Sequence, residues 1–184
     1  MEVKKFKKYV LTGGPCTGKT TILRGLEQRI YTVIPEVARE VIAEEKAKEK
    51  ENPGYRGIFP HVNLYEFEKR IIDKQFEYEQ KIIDEIVFLD RSLVDAVAYA
   101  ELNGKNLGND VYQRIRHAGY TKIFYLDQLP FYMQDRERKE HPRLARRIHE
   151  QIYKTYRQTG FDIVIVPPIS IERRIEFILK NLKG

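Results

Sequence analysis

Gly13-Gly14-Pro15-Cys16-Thr17-Gly18-Lys19-Thr20-Thr21 follows the apolar run Tyr9-Val10-Leu11 and leads into Ile22-Leu23-Arg24-Gly25-Leu26, which reads as the first turns of a helix. The run has the form G-x-x-x-x-G-K-[ST]. Its glycines let the backbone wrap until successive N–H groups converge on one phosphate. The helix that follows turns its positive end toward the same point. Lys19 reaches the β- and γ-phosphates of a nucleoside triphosphate, and the Thr20 hydroxyl suits Mg²⁺. Residues 13–21 are therefore the expected nucleotide contacts. A loop of this kind needs a strand before it and a helix after it, which directs the rest of the chain toward an α/β fold.

The remaining pattern alternates in the same sense. Strands are expected at 8–12, 31–35, 85–89, 122–126 and 162–166. Helices are expected at 19–29, 37–48, from a cap at Asn63 to 83, from just after Asp90 to 102, and at 110–117, 143–159 and beyond a cap at Ser170. A solvated charge run, 44–51, ends the second helix, and Asn52-Pro53-Gly54 breaks it. Leu64, Phe67, Ile71, Tyr78 and Ile82 form one apolar face of the long helix. Leu144, Ile148, Ile152 and Tyr156 form another stripe at 143–159. Ile171, Ile175, Ile178 and Leu182 line the inner face of the last helix. Five apolar strands separated by helices imply a parallel sheet covered on both faces.

The length of 184 residues fits one domain, 1–184, around a sizeable core. With 42% hydrophobic and 33% charged residues, the chain is globular and not disordered. Cys16 is the single cysteine, which excludes an intramolecular disulfide. No apolar run reaches 18 residues, and the N-terminus has no long apolar segment, so a cytoplasmic protein is expected. The net charge of +6 favours anionic partners without choosing between nucleotides and nucleic acid.

In such sheets ligands gather at the carboxyl ends of the strands. After the second strand comes Pro35-Glu36-Val37-Ala38-Arg39. Glu36 is placed to take a proton from a hydroxyl attacking the γ-phosphate, or to complement a helix dipole as a first-turn acid. Arg39, one turn on, steadies Glu36 or binds a substrate anion. After the third strand comes Asp90-Arg91-Ser92: an apolar strand delivering a carboxylate for Mg²⁺, then a cation for phosphate oxygens. Asp95 either serves substrate or forms a helical ion pair with Arg91. Gln75 reads a base or sugar, or bonds a neighbouring backbone. After the fourth strand, a charged lid is expected at about 127–147, with Arg138 first and Arg136 second as the residues reaching the transferring phosphate. Arg146 and Arg147 read as a solvated helix start. Residues 167–170 border the adenine or simply end the strand. His61, His117, His141 and His149 lack ligand spacing, so no metal beyond Mg²⁺ is expected.

The ordered set of residues 13–21, Pro35 to Arg39, Gln75, Phe88-Leu89-Asp90-Arg91-Ser92 with Asp95 and Tyr99, the lid-like 135–140, and Gly160-Phe161-Asp162-Ile163-Val164-Ile165-Val166-Pro167 resembles the ribosylnicotinamide-kinase-like AAA domain family of small P-loop proteins, related to thymidylate and deoxynucleoside kinases. The resemblance implies a three-layer P-loop NTPase fold, with sheet order 2-3-1-4-5. It also implies Glu36 as catalytic base, Asp90 as the Mg²⁺-side acid and Arg91 as a phosphate ligand. Tyr55, Phe59, Tyr65 and Tyr99 are candidate nucleoside-binding aromatics.

The expected activity is transfer of the γ-phosphate of Mg-ATP to a small nucleoside- or nucleotide-like acceptor. The alternatives are a nucleic-acid end kinase and an ATPase or nucleotide-binding regulator without a small acceptor. A GTPase switch is disfavoured, because neither N-K-x-D nor D-x-x-G occurs in the expected place: Asn103-Gly104-Lys105-Asn106 lacks the Asp. No basic-aromatic RNA-binding motif is visible.

Overall fold

The computed structural model describes residues 6–129 and 142–182. In chain order the elements are β1 (Lys7–Thr12), α1 (Lys19–Glu27), β2 (Thr32–Ile34), α2 (Val37–Glu51), α3 (Leu64–Gln80), β3 (Ile86–Asp90), α4 (Leu93–Leu102), α5 (Asn109–His117), β4 (Tyr120–Leu126), α6 (Pro142–Arg157), β5 (Ile163–Val166) and α7 (Ile171–Lys180). The five strands are parallel in the order β2-β3-β1-β4-β5. β1 is central: Leu11 pairs with Asp90 of β3 and Phe124 of β4. The phosphate loop and the carboxyl end of β3 therefore emerge side by side.

Alternation along the strands fills two cores. Val10, Val87, Leu89, Ile123 and Tyr125 face α3, α4, α5 and α6. Tyr9, Leu11, Phe88, Phe124, Leu126 and Val166 face α1 and α7. A smaller cluster, Val37, Val41 and Phe67, joins α2 to α3.

Four local expectations are corrected. The charge run at 44–51 is helical to Glu51, and Glu45 in it is fully buried. Glu45 accepts from the Tyr55 hydroxyl, the Ile58 amide and Lys48, and also pairs with Arg70. These bonds fasten the loop after α2, which a solvated acid would not do. On α3 the buried residues are Phe67, Glu68, Ile72, Gln75 and Glu79, a polar stripe beside the expected apolar one. Glu79 is matched by Lys8 at 2.9 Å, by the Tyr120 hydroxyl at 2.9 Å and by Gln75 Nε2 at 3.1 Å. On α6, Leu144 is 40% exposed, while Ile148, Ile152 and Tyr156 are buried. Ser170 occupies the N-cap of α7 without a side-chain cap bond, whereas Asn63 caps α3 through its bond from the Glu66 amide. No helix among the described residues is long and apolar enough to cross a membrane.

Candidate functional site

The loop between β1 and α1 is shaped by backbone geometry. Gly13 has φ 136°, and a Cβ there would lie 2.7 Å from the Leu126 carbonyl oxygen. Gly14 abuts His149 of α6, whose Cβ would be 2.7 Å from an added one. The Gly14 amide donates to His149 Nδ1 at 3.1 Å, so the ring's proton sits on Nε2, facing Asp127 at 3.7 Å. Burial keeps His149 below the usual histidine range, against the pull of Asp127. Lys19 is 6% exposed and folds over the loop, donating to the Gly13 and Gly14 carbonyls at 2.9 Å each. Burial and Arg91 lower its pKa, opposed by Asp90, Glu36 and Asp95.

Arg174 of α7, which sequence reading passed over, is fully buried. Among the described residues its guanidinium donates to backbone carbonyls alone: Thr17 at 2.5 Å, Asp127 at 2.8 Å, and Pro167 at 2.8 Å with Val166 at 3.5 Å. It ties the phosphate loop to the ends of β4 and β5. An arginine on an amphipathic helix carries no sequence signal for partners that are distant carbonyls.

At the other side of the loop, Glu36, Asp90 and Arg91 come together. Arg91 has φ 71°, a left-handed conformation that costs about 1 kcal/mol or more in a non-glycine residue. Its amide is bonded to the Leu11 carbonyl at 3.0 Å. This turn aims the guanidinium back across the sheet end. Its Nε donates to Glu36 at 2.9 Å, and its Nη1 to Asp95 at 3.0 Å and the Gly13 carbonyl at 3.4 Å. The Tyr99 ring lies 5.5 Å away. Arg39 donates to the second Glu36 oxygen at 3.0 Å. Burial acts to raise the Glu36 carboxyl, but Arg91, Lys19 and the Arg39 bond outweigh it and hold the group at about 2.

Asp90 is 6% exposed, and its Oδ1 is buried without a hydrogen-bond partner among the described residues. Burial, with Glu36 and Asp95 nearby, raises its pKa against Lys19 and Arg91. An orphaned carboxylate oxygen beside a phosphate loop fits a hard divalent cation that keeps most of its ligands as water and phosphate. The described residues contain no cluster of three or more His, Cys, Asp or Glu able to hold a metal alone.

Asp95 forms the helical ion pair with Arg91 that its spacing offered. It also accepts from the Thr12 hydroxyl at 2.6 Å, the Ser92 amide at 3.0 Å and the Tyr156 hydroxyl at 2.6 Å, completing a capping box on α4. Its acceptor capacity is taken up by the protein, so it braces Arg91. Gln75 is 3% exposed and lines a cavity, with its amide nitrogen held by Glu79. Tyr99 borders the site, while Tyr55 is bonded to Glu45 and Phe59 stacks on His61. Arg146 pairs with Glu150 on the surface, and Arg147 borders the larger cavity. Arg136 and Arg138 lie outside the described residues, as does the central part of the expected lid.

Two cavities adjoin. One, of about 530 Å³, is lined by Lys19, Thr20, Arg39 and Lys46. The other, of about 980 Å³, is more apolar and runs between α2, α3, α4 and α6 past Phe67, Ile71, Ala96 and Ile148. Glu36, Arg91 and Tyr99 line both.

The model of a family described as an AAA domain matches residues 8–174. The chain belongs to this AAA-domain family. Its fold is that of small P-loop kinases. A deoxyadenosine kinase from M. mycoides, with products dCMP and a flexible dCDP bound, matches with a TM-score of 0.63 at 15% identity over 95% of this chain and 98% of that one. A thymidylate kinase from Ehrlichia chaffeensis matches with 0.59 at 15% identity over 96% and 98%. A NadR protein in complex with NR matches with 0.64 at 22% identity over 88% of this chain, which spans about half of that protein, 46%. None of the curated proteins matches the chain at a significant level.

Proposed function

We propose that this AAA-domain protein is a kinase, moving the γ-phosphate of Mg-ATP to an oxygen of a small nucleoside- or nucleotide-like acceptor. One observation carries the reading: Glu36 and Arg91 form the wall shared by a cationic cavity at Lys19 and Thr20 and a larger apolar cavity without Lys19. A triphosphate on the loop and an acceptor in the apolar cavity would meet there.

Residues 13–21 bind the phosphates, with Lys19 leaving its carbonyl partners for the β- and γ-oxygens. Thr20 and Asp90 would hold Mg²⁺, which would supply charge neutralisation at the phosphates. When the acceptor oxygen belongs to a hydroxyl, it forms a bond to the γ-phosphorus as the bond to the β-bridging oxygen breaks. ADP leaves, and the hydroxyl proton passes to Glu36. Each Glu36 oxygen is engaged by one arginine and keeps a lone pair for that hydroxyl. So weakly basic a carboxylate first aligns the nucleophile and takes the proton late, which suits a loose phosphoryl-transfer transition state. Arg91 neutralises charge on the equatorial oxygens, and Asp95 holds it in place.

The relatives that share the fold act on or bind nucleosides and nucleotides, which supports an acceptor of that class. The test is ADP release from Mg-ATP over a panel of nucleosides, nucleotides and ribosylnicotinamide. Release stimulated at least tenfold by one acceptor class is expected. Release indifferent to every acceptor would contradict the reading and favour an ATPase or a nucleotide-binding regulator.

A further inference from the structure

Glu68, on α3, lines the larger cavity and is 3% exposed, yet no described residue donates a hydrogen bond to its carboxyl. It does not line the cavity at Lys19 and Thr20, so it stands away from the transferring phosphate. A carboxyl on so buried a side chain, without donors from the described residues, is costly, and the nearby Arg91 offsets only part of that cost. Arg91 is committed to Glu36, Asp95 and the Gly13 carbonyl. Gln75, two turns further along the same helix, gives its amide nitrogen to Glu79, which leaves its carbonyl as the atom free to meet a ligand. Glu68 and Gln75 thus present acceptor oxygens to a cavity otherwise walled by Leu64, Phe67, Ile71 and Ala96. That surface suits a flat ring whose edge carries N–H donors.

We propose that Glu68 is a specificity-determining residue, accepting hydrogen bonds from a ring-borne amino group of the acceptor. The assignment rests on the kinase reading for where the acceptor sits. A site built around a buried acceptor strongly rejects the analogue that lacks the donor, because the carboxyl is then left unmatched. A ring that keeps its shape and loses only the amino group isolates that contribution.

The experiment is calorimetric binding, without ATP, of adenosine against purine riboside, cytidine against pyrimidin-2-one riboside, and guanosine against inosine. Acceptor-stimulated ADP release is read separately. The wild-type protein is expected to bind the amino member of at least one pair about tenfold or more tightly. Glu68→Leu and Glu68→Met should each erase that preference. Glu68→Gln, which keeps an acceptor oxygen, should retain part of it. Equal binding within every pair, no binding of any nucleoside, or a preference that survives in Glu68→Leu or Glu68→Met would overturn the assignment. Amino-selective binding without phosphoryl transfer would sink the kinase reading alone, and transfer without amino selectivity would sink the role of Glu68 alone.

Discussion

Glu36 and Glu68 are both carboxylates on the wall of one cavity, and their surroundings drive them apart. Arg91, Lys19 and Arg39 together hold Glu36 at about 2 despite burial. Burial pushes Glu68 up from 4.5 to about 8, only partly offset by Arg91, while Asp95 adds to the rise. The linkage signs are therefore opposite. Glu36 contributes stability above its unfolded value and loses it as pH falls toward 2. Glu68 contributes fully below 4.5, and its contribution is lost as pH climbs through 8. Glu68→Gln should therefore stabilise the unliganded protein by a margin that grows between those two values and then levels, reaching about 2 kcal/mol or more. Urea unfolding across that range measures it; a margin that shrinks with pH would contradict the account.

Asp90 makes a related case. Replacing its orphaned carboxylate by Asp90→Asn removes the charge proposed to face Mg²⁺, and should lower Mg-ATP turnover by about 100-fold or more while leaving stability unchanged or raised. Parallel turnover and denaturation assays test both halves. At this scale the sequence was legible where chemistry is contiguous: the phosphate loop, and acids standing directly after strands. It was not legible at Glu45, Glu68 and Glu79, because periodicity reads a charged residue as outward-facing, and only the tertiary neighbours of α2 and α3 turn them inward.

Among the elements, α7 holds the nucleotide end of the site together from behind. Its apolar face, Ile175 and Ile178, packs on α1 and the sheet as the spacing predicts. Arg174 beside it binds the phosphate loop, β4 and β5 at once. Arg174→Met should leave several buried carbonyls unmatched, costing about 3 kcal/mol by chemical denaturation and weakening nucleotide binding more than acceptor binding. Equal loss of both affinities would point to general destabilisation instead. The alternation of strands and helices was readable from apolar patterning, because the central strands β1, β3 and β4 are apolar runs buried at their carboxyl ends, whereas the strand order came from the family resemblance alone. The end of α2 was less readable, because its charge run, which looks solvated, is held in the helix by ion pairs with Arg70 and Lys74 of α3.

Over the whole molecule, the net charge of +6 and the cationic cavity beside β1 favour a polyanionic ligand. Saturating Mg-ATP at 100 times its dissociation constant should add about 2.7 kcal/mol to stability and raise Tm by about 5–10 °C in a chain of this size. A Tm indifferent to Mg-ATP would contradict nucleotide binding at the loop.

The shared wall at Glu36 carries the functional account, so the decisive measurement compares acceptor-stimulated ADP release by the wild-type protein and by Glu36→Gln. The amide keeps the size of the side chain and can still orient a hydroxyl, but takes up no proton. For an acceptor phosphorylated on a hydroxyl, the account predicts a fall in kcat of about 100-fold or more, with Mg-ATP binding retained. Undiminished turnover in Glu36→Gln would contradict it.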